Sequence, residues 1–186
     1  HRFFNEVIID GNKVIKKCID PKYEDVHNKE KLWYNAVSDR LENIPKIHSY
    51  NPFTMEKING DHLWDIKDDK EQLINNFCDA LDSLHNIAEV EANNDDMIDV
   101  YLNKTKSRVE EVRSLIRDID EPMVKINSRM CINPLCDEEY FEEHIKKISN
   151  IDKFNIIHGD NTFSNTIADE NSKIWFIDPR GVFGST

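Results

Sequence analysis

Three polar side chains late in the chain have the types and spacing of a hard-cation site. Asp160 follows an apolar run that ends in His158-Gly159, within "IIHGDNTFSN" from Ile156 to Asn165. Asn165 stands five residues after Asp160, and Asp178 closes the apolar run "KIWFID" thirteen residues further on. Two carboxylates and an amide oxygen are the donors Mg²⁺ prefers. Mg²⁺ commonly takes only one or two protein carboxylates and leaves positions for phosphate oxygens. A metal hydrolase built on His158-x-Asp160 would need further His or carboxylate ligands at suitable spacing, and none is nearby in the sequence. Taken singly, Asp160 beside Gly159 and Asp178 before Pro179 are also ordinary turn residues.

Bringing these side chains to one point needs two short strands, ending near His158 and Asp178, with a tight loop between them. The patterning supplies them in "FNIIH", "NTIAD" and "KIWFID". Upstream, "NEVIID" and "KVIKKC" read as strands joined by the hairpin turn Asp10-Gly11-Asn12. Apolar residues Val26, Trp33, Val37 and Leu41 in "YEDVHNKEKLWYNAVSDRLEN" predict a helix, which Pro45 stops. "KIHSY" and "FTMEKI" read as two more strands, split by Asn51-Pro52, before Gly60 breaks the pattern.

Beyond Gly60 three helices are expected. The first buries Leu73, Phe77, Leu81, Leu84 and Ala88; the second buries Ile98, Tyr101, Val109, Val112 and Ile116; the third, capped by Asp137, buries Phe141, Ile145 and Ile148. Residues 120–136, with Pro122 and Pro134, read as a long irregular connection. The order of elements predicts an α+β chain of two unequal lobes, 1–60 and 61–186.

Bulk properties narrow the partners. The 186 residues carry a net charge of −12 with a sequence pI near 5.0, which argues against a non-specific nucleic-acid binder or a protein docked on anionic lipid. No apolar run approaches the roughly 18 residues of a membrane span, and "HRFFNEVIID" lacks a signal-peptide layout. Cys18, Cys78, Cys131 and Cys136 form no C-x-x-C pair and read as reduced thiols of a cytoplasmic protein.

His158-Gly159-Asp160, Asn165 and Ile177-Asp178 together resemble the catalytic segment of the aminoglycoside phosphotransferase and choline kinase-like small-molecule kinases. The Asp-to-Asn spacing also matches the protein-kinase pattern H-R-D-L-x-x-x-N, with Asp178 where the Asp of D-F-G stands. Gly159 and the Pro179-Arg180-Gly181 run point to the small-molecule branch. The resemblance implies a protein-kinase-like fold, with a β-rich N-lobe carrying one helix over 1–60 and a mainly helical C-lobe over 61–186. It implies ATP (or GTP) and Mg²⁺ as cofactors, with Asp160 as the catalytic residue and Asn165 and Asp178 as the metal ligands.

It further implies a strand lysine on the phosphates and a helix glutamate paired with it. Lys16 and Lys17 both qualify, but strand alternation turns only one of them into the cleft. The apolar pair before Lys16 suits the family pattern better. Glu30, three before Trp33, resembles the helix glutamate more than Glu24 does, and backbone groups around Met55 to Ile58, Glu56 and Ile58 among them, would meet the base. Arg180 could touch substrate or phosphate, or pair with an acid.

The resemblance covers most of the chain, with two departures. Only His1 to Phe4 stand where the nucleotide-covering loop should be. Relatives also continue past the Asp178 strand with helices of the substrate pocket, so the chain reads as truncated, or a partner supplies the missing wall. The implied activity is transfer of a γ-phosphate to a hydroxyl of an amino sugar, sugar or choline-like alcohol, with no nucleic-acid or membrane partner. A homo-oligomer or a fused domain would be compatible with it. The rival reading is a non-catalytic nucleotide-binding or docking domain of a larger protein, one that could include a nucleotidyltransferase.

Overall fold

The computed structural model describes residues 5–92, 94–133, 135–148, 152–180 and 183–184. In chain order the elements begin with β1 (Asn5–Asp10), β2 (Lys13–Cys18), α1 (Glu24–Val37), β3 (Ile47–Tyr50), β4 (Phe53–Glu56), β5 (Gly60–His62) and α2 (Lys70–His85). There follow β6 (Glu89–Glu91), α3 (Asn94–Ile98), α4 (Lys104–Glu111), β7 (Met123–Ile126), β8 (Arg129–Ile132) and α5 (Glu138–Ile148). The chain closes with β9 (Lys153–Ile156), β10 (Thr166–Asp169), β11 (Ile174–Phe176) and β12 (Phe183–Gly184). His1 to Phe4, where the covering loop was expected, lie outside the described residues, as do Pro134 and the side chain of Ile148. No helix among the described residues is long and apolar enough to cross a membrane.

Two compact units emerge, one formed by residues 1–90 and 155–186 and the other by 91–154. These are clusters of contacts. The division into lobes 1–60 and 61–186 concerns a nucleotide cleft and remains a proposal.

In the first unit, strands β1, β2, β4 and β3 lie in that order in an antiparallel sheet. Asp10 pairs with Lys13 across the Gly11-Asn12 turn, where Gly11 adopts φ 55, a conformation that costs glycine nothing. Helix α1 packs Trp33, Tyr34 and Val37 into a core shared with Phe53 and Met55 of β4. The helix ends at Val37, short of the expected stretch. Leu41 is buried beyond it in the loop, which Asn43 ties to β11 through Nδ2 to the Ile174 carbonyl at 2.8 Å and through its own carbonyl to Phe176 N–H at 2.7 Å.

A second sheet runs β11-β10-β5. Gly60 lies opposite Asp169, and a Cβ there would stand 2.2 Å from the Ala168 carbonyl oxygen. Close approach of two backbones is therefore what position 60 requires. Helix α2 sends Leu73, Ala80 and Leu84 into the same core as Ala168, Ile174 and Phe176. Its Phe77 meets Phe176 and Phe163 edge-on, at 6.1 Å and 5.5 Å between ring centres.

The second unit departs from the expected pattern in two places. The long helix predicted around 97–119 is interrupted by a π-helical turn, Asp99–Asn103, between α3 and α4. A π turn sets the following residues out of phase with a 3.6-residue repeat. Met97 and Leu102 are buried instead, while Tyr101, Val112 and Ile116 of the expected stripe stay exposed. The supposedly irregular stretch 120–136 contains the antiparallel hairpin β7–β8, with Asn127 and Ser128 at φ 47 and 68. Positive φ at both central residues is the type I′ pattern usually announced by Asn-Gly. Asn133 staples this region: Nδ2 reaches the carbonyls of Ile119 and Glu121, and Oδ1 accepts from Leu135 N–H. Asp137 caps α5 by accepting from Tyr140 N–H at 2.9 Å.

Candidate active site

All residues singled out for chemistry lie in the first unit. In β2, Lys16 faces inward and is 6% exposed, whereas the side chain of Lys17 is 53% exposed and lies 3.7 Å from Glu6. Lys16 Nζ stands 2.5 Å from Oε1 of Glu30 and also donates to Oδ1 of Asp178. Glu30 sits on the buried face of α1 at 1% exposure, whereas Glu24 occupies the exposed first turn. A carboxylate is left so deeply buried only when a cation or several donors compensate it.

Burial alone would push the Lys16 ammonium toward neutrality. The carboxylates of Glu30 and Asp178 outweigh that, and its pKa is raised above 10.5. Tyr34, fully buried one position beyond Trp33, is held well above the usual phenol range, first by burial and then by Glu30 and Asp178.

The loop after β9 is built around His158. Its ring is 1% exposed, between Trp33 and Phe176 at 5.7 Å and 5.6 Å between ring centres. His158 Nε2 donates to the Ile177 carbonyl at 3.0 Å, and Nδ1 accepts from Asp160 N–H at 3.3 Å. Both bonds suit one neutral tautomer. Trp33 adds a second support, donating its indole N–H to the Ile157 carbonyl at 2.9 Å. Gly159 adopts φ 75, which lets the chain reverse between His158 and Asp160.

Asn165 ends a 3₁₀ turn, Phe163–Asn165. Its Nδ2 donates to the Asp160 carbonyl at 2.8 Å, and its own carbonyl accepts from Ile177 N–H at 3.0 Å. This spends an amide hydrogen on the loop backbone, so Oδ1 is the atom of Asn165 that a cation would take. Asp178 sits at φ 57, an uncommon backbone conformation for a residue with a Cβ, and such residues concentrate at functional sites.

The structure thus brings Lys16, Glu30 and Asp178 into direct contact and ties Asp160 to Asn165 through the loop backbone. Glu56 and Ile58 lie apart from that cluster, at the end of β4 and in the following linker. The N–H groups of Glu56 and Lys57 are committed to the carbonyls of Lys46 and Asn12, each at 2.8 Å. Ile58 makes no backbone hydrogen bond among the described residues.

Sequence reasoning left Arg180 open between a contact with substrate or phosphate and a pairing with an acid, and the structure pairs it with Asp160. Arg180 Nε lies 3.2 Å from Asp160 Oδ2, and Arg180 N–H donates to the His158 carbonyl at 2.9 Å. Spacing alone gave no signal for that pairing. Nor did it show that Trp33, expected only in the core, also supports the loop.

The chemistry of these side chains would suit phosphate and a magnesium ion. One cation, Lys16, is shared by two carboxylates, so this cluster keeps an excess of negative charge that a divalent ion would offset. The donor set, one carboxylate and one amide oxygen, is a hard-oxygen set. Among the described residues no group of three or more His, Cys, Asp or Glu side chains gathers as a metal site. That is compatible with a Mg²⁺ ion completed by phosphate.

No protein-family model matches the sequence, and no curated protein matches it. Solved structures do match. A streptomycin–ATP ternary complex of APH(2'')-IIa superposes with a TM-score of 0.50 at 18% identity, over 97% of this chain and 67% of that one. ADP-bound APH(2'')-Ib, an aminoglycoside phosphotransferase, does so with a TM-score of 0.52 at 16% identity, again over 97% and 67%. The chain therefore has the protein-kinase-like α+β fold of aminoglycoside phosphotransferases, and it spans about two thirds of the length of those two proteins.

Proposed function

We propose that this chain is the nucleotide-binding and catalytic part of a small-molecule kinase. It would transfer the γ-phosphate of ATP or GTP to a hydroxyl of an amino sugar, a sugar or a choline-like alcohol. The observation that carries the reading is the buried Lys16, shared by Glu30 and Asp178. Buried lysines with two acidic partners are costly, and phosphate binding is a use that justifies the cost. The ATP- and ADP-bound structures that share the fold add support.

In this reading the base of the nucleotide meets the linker, where the backbone of Ile58 and the carbonyl of Glu56 are the contacts. Lys16, steadied by Glu30, holds the α- and β-phosphates. Asn165 and Asp178 hold Mg²⁺, which when bound neutralises phosphate charge. Asp160 receives the acceptor hydroxyl on its carboxylate and takes the proton as the oxygen–phosphorus bond forms and the nucleoside diphosphate leaves. The rate enhancement comes mainly from positioning and from charge neutralisation.

The test is transfer of labelled γ-phosphate to a panel of amino sugars, sugars and choline, by wild type and Asp160→Asn. Loss of a general base costs about 10²–10⁴-fold in rate. Transfer by wild type and a loss of that order in D160N are expected. Equal transfer by both proteins would refute the assignment.

A further inference from the structure

The two strand ends that carry the site are clasped by a reciprocal pair of hydrogen bonds. His158 Nε2 donates to the Ile177 carbonyl, and Arg180 N–H returns a bond to the His158 carbonyl. Between them, Asp178 is left-handed and Pro179 has its φ fixed by its ring. This local geometry folds the chain back toward the His158 loop and sets Arg180 beside it. Its Nε stands 3.2 Å from Asp160 Oδ2, with the Arg180 side chain half exposed and that of Asp160 30% exposed.

Lys16 is held by Glu30 and Asp178, and Arg180 is a cation that faces Asp160. A carboxylate that must accept a proton along one direction gains from having its other oxygen fixed. A guanidinium does this better than an ammonium, because its donors form a rigid planar fork. The loop supplies the remaining constraints, through Asp160 N–H on His158 Nδ1 and the Asp160 carbonyl on Asn165 Nδ2.

We infer that Arg180 is a positioning residue for the base. It anchors Oδ2 of Asp160 so that Oδ1 is presented to the acceptor hydroxyl. The inference rests on the proposed kinase reading and adds to it a residue that the fold does not specify. No bond to the phosphates is required of Arg180, so its loss should be felt in the chemical step and not in nucleotide binding.

The experiment has two arms on the purified chain. In the first, ¹⁵N spectra of the arginine Nε–H groups are recorded for wild type, Asp160→Asn and Arg180→Met. The Arg180 signal, assigned by its absence in R180M, is expected to move in D160N. In the second, transfer kinetics are compared for wild type, Arg180→Met and Arg180→Lys. A misplaced base costs on the order of 10–100-fold in kcat. R180M should fall by that amount with the nucleotide KM within about twofold of wild type, and R180K should recover part of the loss.

An Arg180 signal that is unmoved in D160N overturns the inference, whatever the kinetics. Wild-type kcat in R180M, or a loss confined to nucleotide KM, overturns the inference while the kinase reading stands. A wild type that transfers phosphate to no acceptor overturns both.

Discussion

Replacing Glu30 with Gln removes one charge from the most buried ion pair among the described residues while keeping volume and an acceptor oxygen. The side chains of Glu30 and Lys16 are 2% and 7% exposed, and their polar atoms are 2.5 Å apart. Removing one partner of a buried pair outright costs about 3–5 kcal/mol, because the other charge is stranded. Here Lys16 keeps Asp178, and Gln still accepts a hydrogen bond. The expected loss is therefore that of a charged hydrogen bond, about 1.5–3 kcal/mol.

For a chain of this size each kcal/mol moves Tm by about 2–4 °C, so Glu30→Gln should melt roughly 3–12 °C lower. Asp178→Asn should cost less, since the Asp178 side chain is 31% exposed and water screens its charge. Urea unfolding followed by tryptophan fluorescence gives the free energies, and a Lys16→Met, Glu30→Gln cycle gives the coupling. Non-additivity of about 1 kcal/mol or more is expected for residues in direct contact. If Glu30→Gln lies within about 0.5 kcal/mol of wild type and adds to Lys16→Met, the pair is not the buried, coupled one described above.

Other perturbations follow from the same structure. The Lys16 pKa is raised in the fold, so its stabilisation is complete below the unfolded value of 10.5 and is lost as pH rises through the folded value. Wild type should lose stability more steeply than Lys16→Met above that pH. The His27 pKa is lowered, first by burial and then by Lys31 and Lys16. Its contribution is therefore present above the unfolded value of 6.5 and is lost as pH falls through the folded value, so His27→Leu should flatten that acid limb in urea titrations. Gly60→Ala drives a Cβ against the Ala168 backbone and should destabilise the first unit by about 1–3 kcal/mol, read as faster amide exchange in β5 and β10. Asn133→Ala strands the carbonyls of Ile119 and Glu121 and should cost about 1–3 kcal/mol, with lost amide protection confined to the second unit.

The parts of the fold that were legible in the sequence are those where local chemistry and tertiary packing agree. The Gly11 turn, the face of α1 bearing Trp33 and Val37, the α2 stripe and the apolar strands flanking Asp160 all follow from period and turn residues. The π turn at Asp99–Asn103 has no breaker residue to announce it, so a periodic reading carried the wrong face forward to Val112 and Ile116. The β7–β8 hairpin was hidden because its turn is Asn127-Ser128, not Asn-Gly. Within the site, alternation in β2 required one lysine to face inward, and packing selected Lys16. The contact between Arg180 and Asp160 goes with the left-handed turn at Asp178, a conformation that Asp tolerates better than most residues but that its type alone does not require.

The central claim is that Lys16, Glu30, Asn165 and Asp178 form a nucleotide–magnesium site. Its most direct measurement is calorimetric titration of ADP or GDP into the purified chain, with and without Mg²⁺, for wild type and Asp178→Asn. Saturable binding by wild type, strengthened by Mg²⁺, and loss of that strengthening in D178N are predicted. Binding that is absent in wild type, or equally strengthened by Mg²⁺ in both proteins, would contradict it.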